Sequence, residues 1–240
     1  MSVASYAIVA AAIVLASCMQ ASIGFGMGML AAPIVAIVDP GLIPGTLIML
    51  AAMLTLLVVI REHQHIDLAG TGWALAGRVP GTIAGALLLM ALPEKALALM
   101  LAGVVLAGVV LTTVGWMPVP HRRNLVLAGA TSGVLGTATS IGGPPMALVW
   151  QNTSGARLRG TMSGFFLVGS VLSIAVLAVT GAVDHETFTS FALLIPAVVA
   201  GYVLSRLVNR LLDRRRQRWL AIVISAAGAV VLIARQLIGF

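Results

Sequence analysis

Two glycine-rich segments interrupt apolar stretches of this chain, and they are the first places to look for chemistry. They read SIGFGMG at 22–28 and SIGGPP at 140–145. Gly and Pro break helices, and in an apolar setting the freed backbone groups need partners in the protein or in a polar cavity. A helix that begins at such a break offers unpaired N–H donors and a partial positive charge. We therefore predict a binding site for a small anion between the two breaks.

The candidate binding residues are the polar and small residues around the breaks. They are Gln20, Ser22, Gly24, Phe25, Gly26, Thr139, Ser140, Gly142, Gly143 and Pro144. The alternative is that such glycines only allow helices to approach closely, as the GxxxG spacings at 81–85 and 129–133 predict. The paired occurrence of the breaks, together with their polar neighbours, favours a site.

Arg78 is the one basic residue well inside an apolar stretch, about nine residues, or roughly 14 Å, into a helix predicted to start at 69. A charge at membrane depth is costly, so it predicts a function. We predict that Arg78 adds a full positive charge to the path of the anion. The alternatives are that its side chain snorkels to the membrane surface or pairs with Asp67.

All acidic and histidine side chains fall in predicted connections, at 39, 62, 63, 65, 67, 94, 121, 184, 185, 186 and 213. A proton-coupled carrier usually keeps such a group in the membrane, and an intramembrane enzyme needs a catalytic base there. The pattern favours facilitated, voltage-driven movement of an anion and predicts no enzyme, cofactor or metal site. A Na⁺- or H⁺-coupled carrier, or a channel for another small anion, is the alternative, because backbone carbonyls can bind Na⁺ without a charged side chain.

The amino-acid composition indicates the environment of these residues. The chain has 240 residues, of which 60% are hydrophobic and 9% charged, against roughly 25% charged in soluble domains. Eight apolar stretches follow, at 3–38, 42–60, 69–92, 97–117, 124–150, 160–182, 187–208 and 219–238. Six of them suit one crossing each, whereas 3–38 and 124–150 are longer and contain the breaks. The sequence thus predicts a single all-α integral membrane domain.

The two long stretches also mark an internal repeat. The tripeptide SIG recurs at 22–24 and 140–142, and Asp67 and Asp184 recur at nearly the same offset. We predict two repeats, 1–118 and 119–240, each made of a broken helical hairpin and three transmembrane helices.

The distribution of Lys and Arg predicts the topology. If 3–38 and 124–150 fold back as hairpins, eleven basic residues lie on one side of the membrane and two on the other. With single crossings the split is nine to four, so the positive-inside rule favours hairpins. The second repeat is then inverted, and both termini lie outside the cytoplasm of a cell whose plasma membrane holds the protein.

The net charge of +7 lies mainly in short connections, so it predicts no nucleic-acid partner. Arg206, Arg210, Arg214 and Arg218 recur every four residues and predict a surface for anionic lipids, with a funnel for cytoplasmic anions as the alternative. The sequence is compatible with a homodimer.

Tryptophans give a check on the ends of the apolar stretches. Trp73, Trp116, Trp150 and Trp219 all lie within a few residues of such an end. This placement is typical of an interfacial aromatic belt.

The order of these motifs resembles the sulfite exporter TauE/SafE family of membrane permeases. Each half has a glycine-rich break and an apolar limb, then a helix led by Gly-Thr, at 45–46 and 160–161, and a helix with Pro-x4-Gly, at 80–85 and 196–201. The resemblance covers essentially the whole chain. It implies a transporter of small sulfur-containing anions such as sulfite or organosulfonates.

Overall fold

The computed structural model describes residues 2–114, 119–150, 152–153, 155–211 and 223–234, and these ranges contain helices and no strand. Ten α-helices are described. They are α1 (Val3–Ile23), α2 (Met27–Val38), α3 (Gly45–Glu62), α4 (Leu68–Ala91), α5 (Glu94–Val114), α6 (Arg122–Thr139), α7 (Gly143–Val149), α8 (Gly155–Val179), α9 (His185–Leu211) and α10 (Val223–Ala234). The prediction of an all-α fold is confirmed.

Five segments of the described chain are long and apolar enough to cross a membrane. They are Val3–Ile23, Gly45–His65, Leu68–Ala91, Gly155–Val179 and His185–Val208. Because a crossing needs about 20 apolar residues, the chain is a multi-pass membrane protein. The last predicted stretch, 219–238, is described only over Val223–Ala234, which is helical.

Both long apolar stretches are split at the predicted breaks. The residues that follow α1 and α6, Gly24 and Ser140, have φ angles of 100° and 63°. This left-handed conformation suits glycine and is uncommon for other residues, so Ser140 is held there by its surroundings. The second limb is shorter than the first, because α7 has seven residues and α2 has twelve.

The chain reverses direction at each break. Tyr6 near the start of α1 and Asp39 just after α2 line the same surface pocket. In the same way, Leu125 near the start of α6 and Val149 at the end of α7 belong to one hydrophobic cluster. Each broken stretch therefore returns to the end of the molecule at which it began.

Three long helix pairs build the core, namely α4 with α6, α1 with α9, and α3 with α8. Glycines bring α4 and α6 together, since a Cβ on Gly81 would overlap the carbonyl oxygen of Ala130, and a Cβ on Gly129 would overlap that of Ala74. The close contacts predicted from the GxxxG spacings are confirmed.

Basic residues meet at one end of the bundle, which we call the arginine-rich end and define by Arg61, Arg159 and Arg206. Arg61 and Arg159 both bond to Glu62. The guanidinium carbons of Arg61 and Arg206 lie 5.3 and 5.5 Å from the ring centroid of Tyr202. The side chains of Arg210, Arg214 and Arg218 lie outside the described part of the chain.

The prediction of an interfacial belt fits only one of the two described tryptophans. Trp73 is half-exposed beneath Arg122, with 4.9 Å between guanidinium carbon and ring centroid. Trp150 is 3% exposed and packs edge-on against Phe165 at 6.3 Å, so its assignment to the belt is wrong. Trp150 directly follows α7 and belongs to the same hydrophobic cluster as Phe165 and Phe166. Trp116 and Trp219 lie outside the described residues.

Candidate functional site

The two glycine-rich breaks lie against each other in the middle of the fold. A Cβ on Gly28 would overlap the carbonyl oxygen of Ser140, and a Cβ on Gly143 would lie 3.7 Å from the Cβ of Phe25. The backbones approach this closely because glycine has no side chain at the contact. Two segments more than a hundred residues apart in sequence therefore form one central structure.

A small cavity of about 40 Å³ lies between the breaks. Six of the predicted binding residues line it, namely Gln20, Gly26, Arg78, Ser140, Gly142 and Gly143. The lining residues of α3 and α8 were not predicted from the sequence; they are Ile48, Ala51, Phe166 and Ser170. Those helices carry no break or intramembrane charge, so only their place in the fold reveals their contribution.

The other five predicted residues lie beside the cavity and not in its lining; they are Ser22, Gly24, Phe25, Thr139 and Pro144. The hydroxyl of Ser22 donates to the carbonyl oxygen of Cys18 at 2.7 Å, and that of Thr139 donates to the carbonyl oxygen of Leu135 at 2.7 Å. Both hydroxyls are thus occupied by their own helix.

Gly24 and Pro144 have packing roles near the breaks. A Cβ on Gly24 would lie 3.2 Å from the Cα of Arg159, and a Cβ on Gly108 would lie 2.8 Å from the Cγ of Pro144. The first contact brings α8 against the first break, and the second brings α5 against the second. These residues support the walls of the cavity from outside.

Arg78 is a buried cation on the wall of the cavity, with 3% of its surface exposed. Its Nη1 donates to the carbonyl oxygen of Ser132 at 3.2 Å and to the Ser132 hydroxyl at 2.8 Å. Its guanidinium carbon lies 5.2 Å from the ring centroid of Phe165, and its buried Nε has no hydrogen-bond partner among the described residues.

No carboxylate in the described ranges forms an ion pair with Arg78. Asp67, one predicted alternative, lies instead 3.7 Å from Arg157. The other alternative, snorkelling to the surface, is also wrong because the side chain is buried. An uncompensated buried charge is strongly destabilising, so the surroundings of Arg78 favour an anion.

Glycines of α6 and α8 leave the space that the guanidinium occupies. A Cβ on Gly169 would lie 2.6 Å from Arg78 Nε, and a Cβ on Gly136 would lie 3.1 Å from Arg78 Nη2. The hydroxyl of Ser132 donates onward to the carbonyl oxygen of Gly142 at 2.7 Å. The cation is thereby connected to the second break.

The start of α2 supplies donors from the first break. The side-chain oxygen of Gln20 accepts the backbone N–H of Met27 at 2.9 Å. The next two residues, Gly28 and Met29, line the cavity, and N–H groups in the first turn of a helix have no intrahelical acceptor. The site is asymmetric, because α7 is only two turns long and aligns fewer peptide dipoles than α2.

An acidic vestibule of about 820 Å³ opens at the opposite end from the arginines, and we define it by Asp39, Asp184 and Glu186. The backbone N–H and the hydroxyl of Thr187 each donate to the Asp184 carboxylate at 2.8 Å. These bonds, that of the backbone first, lower the pKa of Asp184 and keep it ionised. The vestibule is therefore negatively charged.

An ion-pair triad of Arg61, Glu62 and Arg159 lies at the arginine-rich end. Arg159 donates to Glu62 Oε1 from Nη2 at 2.7 Å and from Nε at 3.0 Å, and Arg61 Nε donates to the same oxygen at 3.2 Å. The prediction that Glu62 lies in a connection is wrong, since it ends α3 and is 7% exposed. The two arginines compensate the buried carboxylate.

Metal-ligating side chains do not cluster in the described ranges, where no group of three or more His, Cys, Asp or Glu residues could hold an ion.

Comparison with known proteins gives one match. The family model described as Sulfite exporter TauE/SafE matches residues 9–232. The comparison with curated proteins gives no match, and neither does that with solved structures. The matched family consists of transporters, which implies a membrane permease for sulfur anions and not an enzyme. With the match extending from α1 to α10, the chain belongs to the sulfite exporter TauE/SafE family.

Proposed function

We propose that this protein is a permease that carries small sulfur-containing anions, such as sulfite, through the cavity between the two breaks. The observation that carries the proposal is Arg78, which is buried on the cavity wall without an ion-pair partner in the described chain. A bound anion would neutralise this charge, and the N–H groups at the start of α2 would bond to its oxygens.

The proposed ligand-binding residues are those that line the cavity and carry donors or allow close approach. They are Gln20, Gly26, Arg78, Ser140, Gly142 and Gly143. A volume of about 40 Å³ suits a compact group of a few atoms. It supports sulfite ahead of larger organosulfonates, whose organic part would require the site to widen.

Voltage is the driving force in this proposal. The arginine-rich end faces the cytoplasm by the positive-inside rule, and the acidic vestibule then faces outward. An inside-negative potential contributes about 2.3 kcal/mol per charge per 100 mV, which is roughly a fifty-fold bias toward export of a monovalent anion. The negative vestibule would hinder return of the released anion.

The proposal includes two inverted repeats, 1–118 and 119–240, which place the breaks opposite each other. Asp67 and Asp184 support it, because each accepts a backbone N–H in the first turn of the helix that follows, α4 or α9. Those two helices contain interior prolines, Pro80 and Pro196. Exchange of the repeats would also convert the α4–α6 pair into the α9–α1 pair, and both pairs are present.

Flux through purified protein in liposomes tests the function. Sulfite, sulfate, a small alkyl sulfonate and acetate would be compared under an imposed potential, with and without Na⁺ and with and without a pH gradient. We expect sulfite flux that follows voltage in Na⁺-free buffer without a pH gradient. Flux that required Na⁺ or a pH gradient would favour a cation-coupled carrier, and absence of sulfite flux would overturn the proposal.

A further inference from the structure

A second place where this chain can hold an oxyanion lies at the arginine-rich end. Arg61 and Arg159 converge on a single atom, Glu62 Oε1, through three hydrogen bonds of 2.7 to 3.2 Å. Two guanidinium groups around one negatively charged oxygen form the arrangement that recognises carboxylates and other oxyanions in proteins. The triad carries two positive charges and one negative charge, so a positive charge is left over.

The triad is attached to the first break by two further contacts. Arg61 Nη2 donates to the carbonyl oxygen of Ala21 at 3.2 Å, next to the cavity-lining Gln20. The backbone of Arg159 lies against Gly24, where a Cβ would come within 3.2 Å of its Cα. An anion that reached the cavity from this end would pass these two arginines.

The side chains have the exposure that such a role requires. Those of Arg61 and Arg159 are 24% and 19% exposed, whereas that of Glu62 is 9% exposed. The arginines can therefore be reached from solvent, while the carboxylate occupies the space between them.

We infer that Arg61 and Arg159 form a loading site for a small oxyanion, and that Glu62 occupies this site as a tethered anion until the cargo replaces it. The inference deepens the proposed function, since the anion would be that of the central cavity. While Glu62 binds the two arginines, the triad closes the arginine-rich end. When Glu62 withdraws, the two arginines are free to bind the cargo anion.

Anion binding by purified protein in detergent tests the loading site, with sulfite as the probe and ligand-induced stabilisation against heat as the readout. All variants carry Arg78→Leu, which removes the buried cation of the central site. Adding Glu62→Gln to this background removes the negative charge between the two arginines while the side-chain volume stays nearly the same. We expect the Kd for sulfite to fall at least about tenfold. Further addition of Arg159→Gln should abolish this gain.

The matched control is Glu94→Gln in the same background, because Glu94 is an exposed carboxylate at the start of α5. It should leave the Kd unchanged. Glu62→Asp replaces Glu62→Gln if the latter does not fold, because the shorter side chain withdraws the carboxylate and should lower the Kd to a smaller extent.

The outcome separates the two proposals. Equal sulfite affinity with and without the Glu62 change, or a gain that survives Arg159→Gln, would overturn the loading site whatever the wild-type flux. A wild type without sulfite flux, combined with an affinity gain that needs Arg159, would overturn the proposed transport and leave the loading site standing.

Discussion

The hydroxyl of Ser132 joins Arg78 to the second break, lying 2.8 Å from Arg78 Nη1 and 2.7 Å from the carbonyl oxygen of Gly142. It accepts a bond from the cation and donates one to the backbone. Because this backbone lines the cavity, the position of the buried charge depends on the geometry of the break. Helices α4 and α6 and the start of α7 thus act together at the proposed anion site.

Replacement of Arg78 tests the buried charge. We expect Arg78→Leu to lower kcat/KM for sulfite flux at least about a hundredfold, since an anion in the cavity would lose its charged partner. Arg78→Lys should restore only part of the activity, because an ammonium lacks the planar guanidinium that stacks on Phe165 and bonds to Ser132. The measurement is initial flux in liposomes at equal protein content.

Arg123 is the control for these two variants, since it is exposed in the first turn of α6. Arg123→Leu and Arg123→Lys should transport sulfite like the wild type. Wild-type kcat/KM in both Arg78 variants would rule out a role for that residue in anion binding.

Ser132→Ala tests the position of the charge separately from its presence. We expect KM for sulfite to rise about fivefold, which corresponds to roughly 1 kcal/mol for a lost hydrogen bond, while kcat changes less. In the described part of the chain, the hydroxyl of the neighbouring Thr131 bonds to its own helix, at 2.9 Å from the Leu127 carbonyl oxygen, and is exposed. If Thr131→Ala raised KM as much as Ser132→Ala, the effect would belong to α6 in general.

Gly28→Ala tests the contact between the two breaks. The added Cβ would overlap the carbonyl oxygen of Ser140, so α2 must shift away from the second break. We expect a free energy of unfolding lower by about 1–3 kcal/mol and a loss of sulfite flux. The readouts are the midpoint of thermal unfolding and flux at a temperature where the variant remains folded.

Gly72 in α4 is the matched control, because a Cβ there would meet no described atom within 4 Å. Gly72→Ala should be neutral or stabilise the helix by up to about 1 kcal/mol, since alanine favours helix formation. A Gly28→Ala protein as stable and active as Gly72→Ala would show that the breaks need not touch.

Much of this architecture follows from local sequence. The glycine and proline clusters locate both breaks because helices end where backbone donors or favourable dihedral angles are lost. The GxxxG spacings locate the α4–α6 contact for the same local reason. The end of α7 at Val149 follows too, since the predicted apolar stretch ends at 150. The burial of Trp150 does not follow, because it depends on packing against Phe165 of another helix.

The site was predictable where unusual residues mark it. Arg78 and the polar residues of the breaks differ from their apolar neighbours, so the sequence points to six of the lining residues. Phe166 and Ser170 are ordinary in an apolar helix, and their contribution depends on how α8 crosses the breaks. Glu62 was misplaced because its position at the end of an apolar stretch does not reveal Arg159, which lies 97 positions away in sequence.

The acidic vestibule provides the last prediction. Asp39 and Glu186 line it, and the hydrogen bonds from Thr187 go to Asp184 and not to these two residues. With both carboxylates neutralised, in Asp39→Asn/Glu186→Gln, anions approach a less negative surface. We expect sulfite flux that starts from the vestibule side to rise about threefold at low ionic strength. The gain should disappear near 0.5 M salt, where the screening length is on the order of a few ångströms.

The control is Glu94→Gln, because Glu94 is an exposed carboxylate outside the vestibule lining. This variant should leave the flux unchanged at either salt concentration. A rise of equal size at both salt concentrations would assign the effect to altered packing, since only a long-range electrostatic barrier is removed by screening.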